Sequence, residues 1–378
     1  MDLLNNIKTR QALQEIHPYS PGKPIWEVQK ELGIEHVIKL ASNENPLGPS
    51  PKAIEAISSH LAGIHRYPDA QAAQLKNAIT ERLHLLPQQI IVTNGADELI
   101  TLISETFLEP GDEIIVPAPS FSEYDFGAHL MGAQVVAIPL TEDYEYDIQT
   151  ILTAVTSKTK IVYICSPNNP TGTYMKKMHL QQLMDILPRH VLVVFDAAYS
   201  HFADAADYTD GFELVRSGYS IIVLQTFSKI YGLAGVRVGY GAAPEAITQS
   251  ILKVKEPFNV NALAQAAAEA AIYDESHVQA SQQNNAQGRD QLYAAFSSLG
   301  LNYTESMSNF VLVEIGEEAK TVYEQLLAKG VIVRYGATWG MPGHVRISVG
   351  TPEENAILIG TMSAILLSSL ELNGRVQK

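Results

Sequence analysis

The chain contains one cysteine, Cys165, in 378 residues. That excludes an intrachain disulfide framework and any metal or iron–sulfur site built on several cysteines. Positive charge is also scarce: 26 Lys and Arg stand against 41 Asp and Glu, a net charge of −15. Nucleic acid and anionic membranes are poor main partners for such a chain, although a local basic pocket for a small anion is compatible with it. Long hydrophobic runs are missing. The longest apolar stretches, at 161–164 and 191–195, are strand-sized, so no transmembrane helix is expected. The opening MDLLNNIKTRQALQEI has no basic segment followed by an apolar one. No secretory signal is therefore expected, and a reducing cytoplasm is the expected compartment. There is no internal repeat and no low-complexity tract.

What the chain does have is enough apolar material for a sizeable core, at 46% hydrophobic and 18% charged residues. At roughly 150 residues per domain, the length corresponds to two or three domains. From about 90 to 240 short β-branched runs end in Gly, Pro, Asn or Asp, and amphipathic stretches of helix length follow. The strand candidates are 90–93, 113–116, 134–138, 160–164, 191–195, 220–224 and 236–240. Near-continuous apolar runs such as VLVVF and SIIVL fit strands buried on both faces. Strands alternating with helices predict an α/β fold around a mostly parallel sheet. Residues 1–34, with four prolines or glycines before one short helix, read as an arm. Beyond about 259 the pattern changes to an α+β unit: a helix at 285–299, a strand at 309–315, a helix to 329, strands at 331–334 and 344–349, and a final helix from 352. The expected division is 1–34, 35–258 and 259–378, with a cleft between the two larger parts.

Ligands of such sheets bind outside the carboxyl ends of the strands, and five segments there carry chemistry. Thr93-Asn94-Gly95-Ala96-Asp97-Glu98 turns from strand to helix, and a helix N-terminus suits phosphate. The plainer reading is acidic residues complementing a helix dipole. Ser166-Pro-Asn168-Asn169-Pro170-Thr-Gly172 is a rigid loop holding two amides, with Asn169-Pro170 a candidate cis bond. Asp196, at the end of VLVVF, is costly to bury without a cation, unless it merely caps the next helix. Lys229 follows SIIVL in Thr226-Phe-Ser228-Lys229, where desolvation would lower its pKa and make it a nucleophile. Arg237 begins the next expected strand between glycines, positioned to clamp a phosphate. Each signal has an ordinary structural explanation on its own. Together a lysine, a carboxylate, the Tyr199 phenol, an amide and a phosphate cradle match the needs of pyridoxal 5′-phosphate (PLP).

Those segments, with Ser42-Asn-Glu-Asn-Pro-Leu-Gly48, Arg66-Tyr-Pro-Asp69 and Arg346-Ile-Ser-Val-Gly-Thr-Pro-Glu-Glu354, make the chain resemble the class I/II aminotransferases of PLP fold type I. Within that family it resembles the histidinol-phosphate aminotransferases, nearly end to end. The resemblance implies a large domain with a seven-stranded, mostly parallel sheet sandwiched by helices, a smaller α+β domain, and a homodimer with shared active sites. It implies that Lys229 bonds to the cofactor aldehyde and then moves a proton between the substrate α-carbon and cofactor C4′. Asp196 would pair with the ring nitrogen, and Tyr199 and Asn169 would hold the ring oxygen. The N–H groups of Ala96 and Asp97, with Thr226, Ser228 and Arg237, would hold the phosphate, joined by Tyr67 from the neighbouring subunit. Phe121 would stack on the ring where the family usually has Tyr, so stacking is kept and a phenol hydrogen bond is lost. Tyr19, Asn43, Arg334 and Arg346 would contact substrate, Arg346 through an α-carboxylate. No metal is implied. The implied reaction is transamination between L-histidinol phosphate and 2-oxoglutarate. The alternatives are an aromatic amino-acid aminotransferase and a decarboxylase of O-phosphothreonine.

Overall fold

A computed structural model describes residues 8–14, 16 and 22–376. Seven strands form the main sheet: β1 (Ile90–Thr93), β2 (Glu113–Ala118), β3 (Gln134–Pro139), β4 (Thr159–Cys165), β5 (Leu192–Asp196), β6 (Ile221–Thr226) and β7 (Gly239–Ala242). Their order across the sheet is β1-β7-β6-β5-β4-β2-β3. Only β7 runs against its neighbours. The apolar runs read as doubly buried strands behave accordingly. Val193, Phe195, Ile221 and Val223 enter one hydrophobic layer, whereas Leu192, Val194, Ile222 and Leu224 enter the other. Side chains alternate across a strand, so a run with no polar residue must be covered on both faces. One layer is closed by helices Ala73–Leu83 and Ala262–Ile272, the other by helices Ala96–Phe107 and Glu123–Met131.

The topology gathers the chemistry at one sheet edge. Strands β2, β4, β5 and β6 all end there, at Ala118, Cys165, Asp196 and Thr226. Because β7 is antiparallel it starts there, with Gly239 opposite both Thr93 and Thr226. Arg237 is thus delivered to the same edge, though not as expected: it precedes β7, at φ 60° after the short turn Ala234–Val236. The alternating Val-Arg-Val imitates a strand, but the left-handed residue keeps the ladder from starting before Gly239.

A second, antiparallel sheet has the order Arg334–Tyr335, His344–Ser348, Phe310–Glu314, Asn302–Tyr303. It shares a core with helices Glu275–Ser298, Ala319–Ala328 and Pro352–Val376. The expected strand at 331–334 is two pieces, because Val331–Ile332 pairs instead with Ile38–Lys39. The helix expected at 285–299 starts earlier, at Glu275, where the Asp274 side chain caps it. Its polar first turns carry no apolar stripe to signal a helix. Helix Ala262–Ile272, grouped by sequence with 259–378, packs into the core of the main sheet, and Leu40 packs into that of the small sheet.

Candidate active site

Between the two sheets lies a cavity of about 270 Å³, open to solvent, bordered by Asp196, Tyr199, Lys229, Asn169, Phe121, Arg237, Arg334 and Arg346. Asp196 closes its floor. The side chain ends β5, in the middle of the sheet, and is 5% exposed. Oδ2 accepts a 2.7 Å hydrogen bond from the Tyr124 hydroxyl and Oδ1 a 3.1 Å bond from the Ala198 N–H. Burial nevertheless pushes its carboxyl above the usual range, with the Tyr124 bond opposing that shift.

Lys229 enters from the turn after β6. Its Nζ donates to the Ser42 carbonyl at 3.1 Å and lies 5.7 Å from the centroid of the Tyr199 ring. Burial, with repulsion from Arg346, pulls its pKa down to about 8. Tyr199 is buried, which pushes its phenol up, and its oxygen accepts from Asn43 Nδ2 at 3.0 Å. Asn43 sits at φ 54° and is held by Ser348, to which its N–H donates at 2.9 Å.

The anion corner is assembled from Gly95, Ala96, Asp97, Thr226, Ser228 and Arg237. Gly95 caps helix Ala96–Phe107 at φ 87°. A Cβ there would lie 2.5 Å from Arg237 Nη2, so the glycine leaves the space the guanidinium uses. A Cβ on Gly239 would meet the Ala96 amide nitrogen at 2.8 Å. Arg237 lies 3.4 Å from both Ser228 Oγ and Asp97 Oδ2. Helix N-terminal N–H groups beside a guanidinium and two hydroxyls have the chemistry that suits an anion such as phosphate.

Arg346 rises from the small sheet, where it pairs with Leu312 and Arg334. Its guanidinium donates to the Ala41 carbonyl at 2.7 Å and to Asn169 Oδ1. It also lies 5.1 Å from the Phe310 ring centroid and 4.9 Å from that of Trp339. The two amides of the 166–172 loop therefore differ. Asn169 faces the cavity, whereas Asn168 ties the loop together through Pro119, Ser120 and Thr171. The Asn169–Pro170 bond is cis.

Tyr67 stands apart from this group. It is 83% exposed and stacks on Phe258 at 4.8 Å, outside the cavity of its own chain. Tyr19 lies outside the described residues. No group of metal-ligating side chains occurs among the described residues. Sequence reading missed Tyr124, Ser348 and Trp339. Tyr124 carried a usable signal, since it follows Phe121 by three residues at a helix start.

Residues 35–362 match the family described as aminotransferase class I and II. The chain belongs to this aminotransferase family. A histidinol-phosphate aminotransferase of Moorella thermoacetica is 46% identical over 360 residues, covering 95% of this chain and 93% of that one. Histidinol-phosphate aminotransferase 2 of Carboxydothermus hydrogenoformans is 43% identical, covering 94% and 99%. Among solved structures, the histidinol-phosphate aminotransferase of Sinorhizobium meliloti in complex with pyridoxal-5′-phosphate superposes with a TM-score of 0.88 at 24% identity, covering 96% and 98%. A Thermus thermophilus aspartate aminotransferase variant gives 0.83 at 24% identity, covering 95% and 99%. These structures share the fold-type I architecture.

The cofactor of this aminotransferase is pyridoxal 5′-phosphate, and the residues present fit it. A buried carboxylate held by two donors but raised by burial calls for a cationic partner. An amine with a depressed pKa stands in the same cavity, and the glycine-built cradle lies at its edge.

Proposed function

We propose that this aminotransferase moves the amino group of L-histidinol phosphate to 2-oxoglutarate, yielding imidazole acetol phosphate and L-glutamate. The observation that carries this reading is the convergence of Lys229, Asp196, Arg237 and Arg346 on one cavity, in a chain 46% identical to a histidinol-phosphate aminotransferase.

Bound PLP supplies an aldehyde and a ring that accepts the electron pair left when the substrate α-proton departs. Every other task falls to the chain. Asp196 would hold the ring nitrogen in its protonated form, with Tyr124 and the Ala198 amide keeping the carboxylate in place. Tyr199 and Asn169 would hold the ring oxygen, Asn43 orienting Tyr199. Phe121 would pack on the ring. The Ala96 and Asp97 amides, Thr226, Ser228 and Arg237 would hold the phosphate. Lys229 would hold the aldehyde, and its amine, with a pKa lowered to about 8, would move the proton between the substrate α-carbon and C4′.

Arg346 receives the α-carboxylate of glutamate, and Arg334 a second anionic group. Histidinol phosphate carries a phosphate and no carboxylate, so cations that accept either anion let one site serve both partners. The active unit is a homodimer. Ile54, Leu61, Ile64 and Tyr67 are exposed apolar side chains within fourteen residues of sequence, as a face for a second copy would need, and Tyr67 would then reach the phosphate of the partner's cofactor.

The test incubates the cofactor-loaded protein with L-histidinol phosphate and 2-oxoglutarate. Glutamate and the oxo product should form in equal amounts without CO₂. Release of CO₂ from O-phosphothreonine, or turnover of phenylalanine and tyrosine only, would reject the reading.

A further inference from the structure

We propose that Trp339 is a specificity-determining residue, giving the cavity a stacking surface for the flat ring of the amine donor. The inference rests on the histidinol-phosphate reading above. Two donors must share one site. Glutamate offers only carboxylates beyond its amine, whereas histidinol phosphate offers a phosphate and an imidazole. Arginines serve every anionic group, but they leave the ring without a dedicated partner. A desolvated ring is held well by another ring, stacked or edge-on. When the imidazole is protonated, an aromatic face attracts it further.

Among the described residues, three aromatic side chains border the cavity: Phe121, Tyr199 and Trp339. The first two lie with the proposed cofactor-holding residues. Trp339 lies on the small-sheet side, next to Thr338 and in contact with Arg346. It ends the turn Gly336–Trp339, stopped by Gly340 at φ 71°. The start of that turn is closely packed: a Cβ on Gly336 would lie 2.3 Å from the Met341 carbonyl oxygen. The indole is therefore presented from a turn anchored at Gly336. Trp339 is one of several groups around Arg346. The guanidinium is already held by the Ala41 carbonyl, Asn169 and the Phe310 ring. A large, half-buried indole beyond those contacts is better explained by the ring it meets in the substrate.

The test compares Trp339→Leu and Trp339→Phe with the parent, all loaded with cofactor, using L-histidinol phosphate, L-phenylalanine and L-glutamate as donors. Trp339→Leu should raise KM about tenfold for the two ring donors, leaving kcat and the glutamate KM within about threefold. Trp339→Phe should recover most of the loss. The chain has two tryptophans, and Trp26 is 64% exposed, away from the cavity. Trp26→Phe therefore leaves Trp339 as the sole indole, whose emission should change more when ring donors bind than when glutamate, which meets only its neighbour Arg346, binds. An equal KM rise for all three donors would assign the indole to Arg346 alone and overturn the proposal. Unchanged KM values, or emission indifferent to ring donors, would also overturn it. A parent that fails to turn over histidinol phosphate would refute the substrate reading, while the phenylalanine comparison and the emission would still decide the role of Trp339.

Discussion

The Tyr124 hydroxyl donates a 2.7 Å hydrogen bond to Oδ2 of Asp196. This bond works against burial, which pushes the carboxyl toward its neutral form. Tyr124→Phe removes it, so Asp196 should protonate more readily and hold a cationic ring nitrogen less well. A bond to a charged group contributes about 1.5–3 kcal/mol, so the dissociation constant for PLP should rise at least about tenfold. The loss should grow as pH falls. Absorbance titrations at pH 6 and pH 8 read both effects, and unchanged affinity at both would remove Tyr124 from the account.

Lys229 gives a pH dependence whose sign is fixed. Its pKa falls from 10.5 in the unfolded chain to about 8 in the folded one, chiefly through burial. Below about 8 both states hold the proton, and the folded state holds it in unfavourable surroundings. Between the two values the unfolded chain binds more protons, so this contribution to stability rises with pH and levels off above 10.5. Lys229→Met should therefore stabilise the cofactor-free protein by about 2 kcal/mol at pH 7, and the gain should shrink toward pH 10. Urea midpoints at the two pH values test this; a gain independent of pH would contradict it.

Arg346 should separate the two half-reactions. Arg346→Ala deletes the proposed partner of the glutamate α-carboxylate, a buried charged contact whose loss costs about 2–5 kcal/mol. The glutamate half-reaction should slow at least about thirtyfold, and the histidinol-phosphate half-reaction clearly less. Stopped-flow absorbance resolves each half separately. Equal losses would argue against the assigned role.

Gly95 should prove intolerant of a side chain. Gly95→Ala forces a β-carbon to within 2.5 Å of Arg237 Nη2 at a residue with φ 87°. The guanidinium has to move out of the cradle or the helix start has to shift. PLP affinity should fall about tenfold or more, since the proposed contact of Arg237 with the phosphate is lost. Arg237→Ala should not add fully to it, because both changes act on one group. Full additivity in PLP titrations would show that they act separately.

Much of this was legible in the sequence because the chemistry sits where strands end. Asp196 follows the unbroken apolar run 191–195 and Thr226–Lys229 lie just past the apolar run 221–224, so the edge of the sheet could be located from hydrophobicity. Arg237 was found for its chemistry but assigned to a strand, since alternation does not reveal a left-handed backbone. Other features depend on contacts distant in sequence. Ser348 holds Asn43 across 305 residues, and Trp339 meets Arg346 only because a turn folds back over a strand. Asn168 and Asn169 are the same residue type side by side, and nothing local tells which one faces the cavity. Helix Glu275–Ser298 began earlier than expected because its first turns are polar, with tertiary contacts and the Asp274 cap supplying what periodicity did not.

The central claim is that Lys229 carries the cofactor in the cavity floored by Asp196. Borohydride reduction of the PLP-loaded protein, followed by proteolysis and mass spectrometry, fixes the attachment point directly. The account predicts one pyridoxyl phosphate per chain, on the peptide containing Lys229, and none in Lys229→Ala. A label on another lysine, or Lys229→Ala that keeps both the label and full turnover, would contradict it.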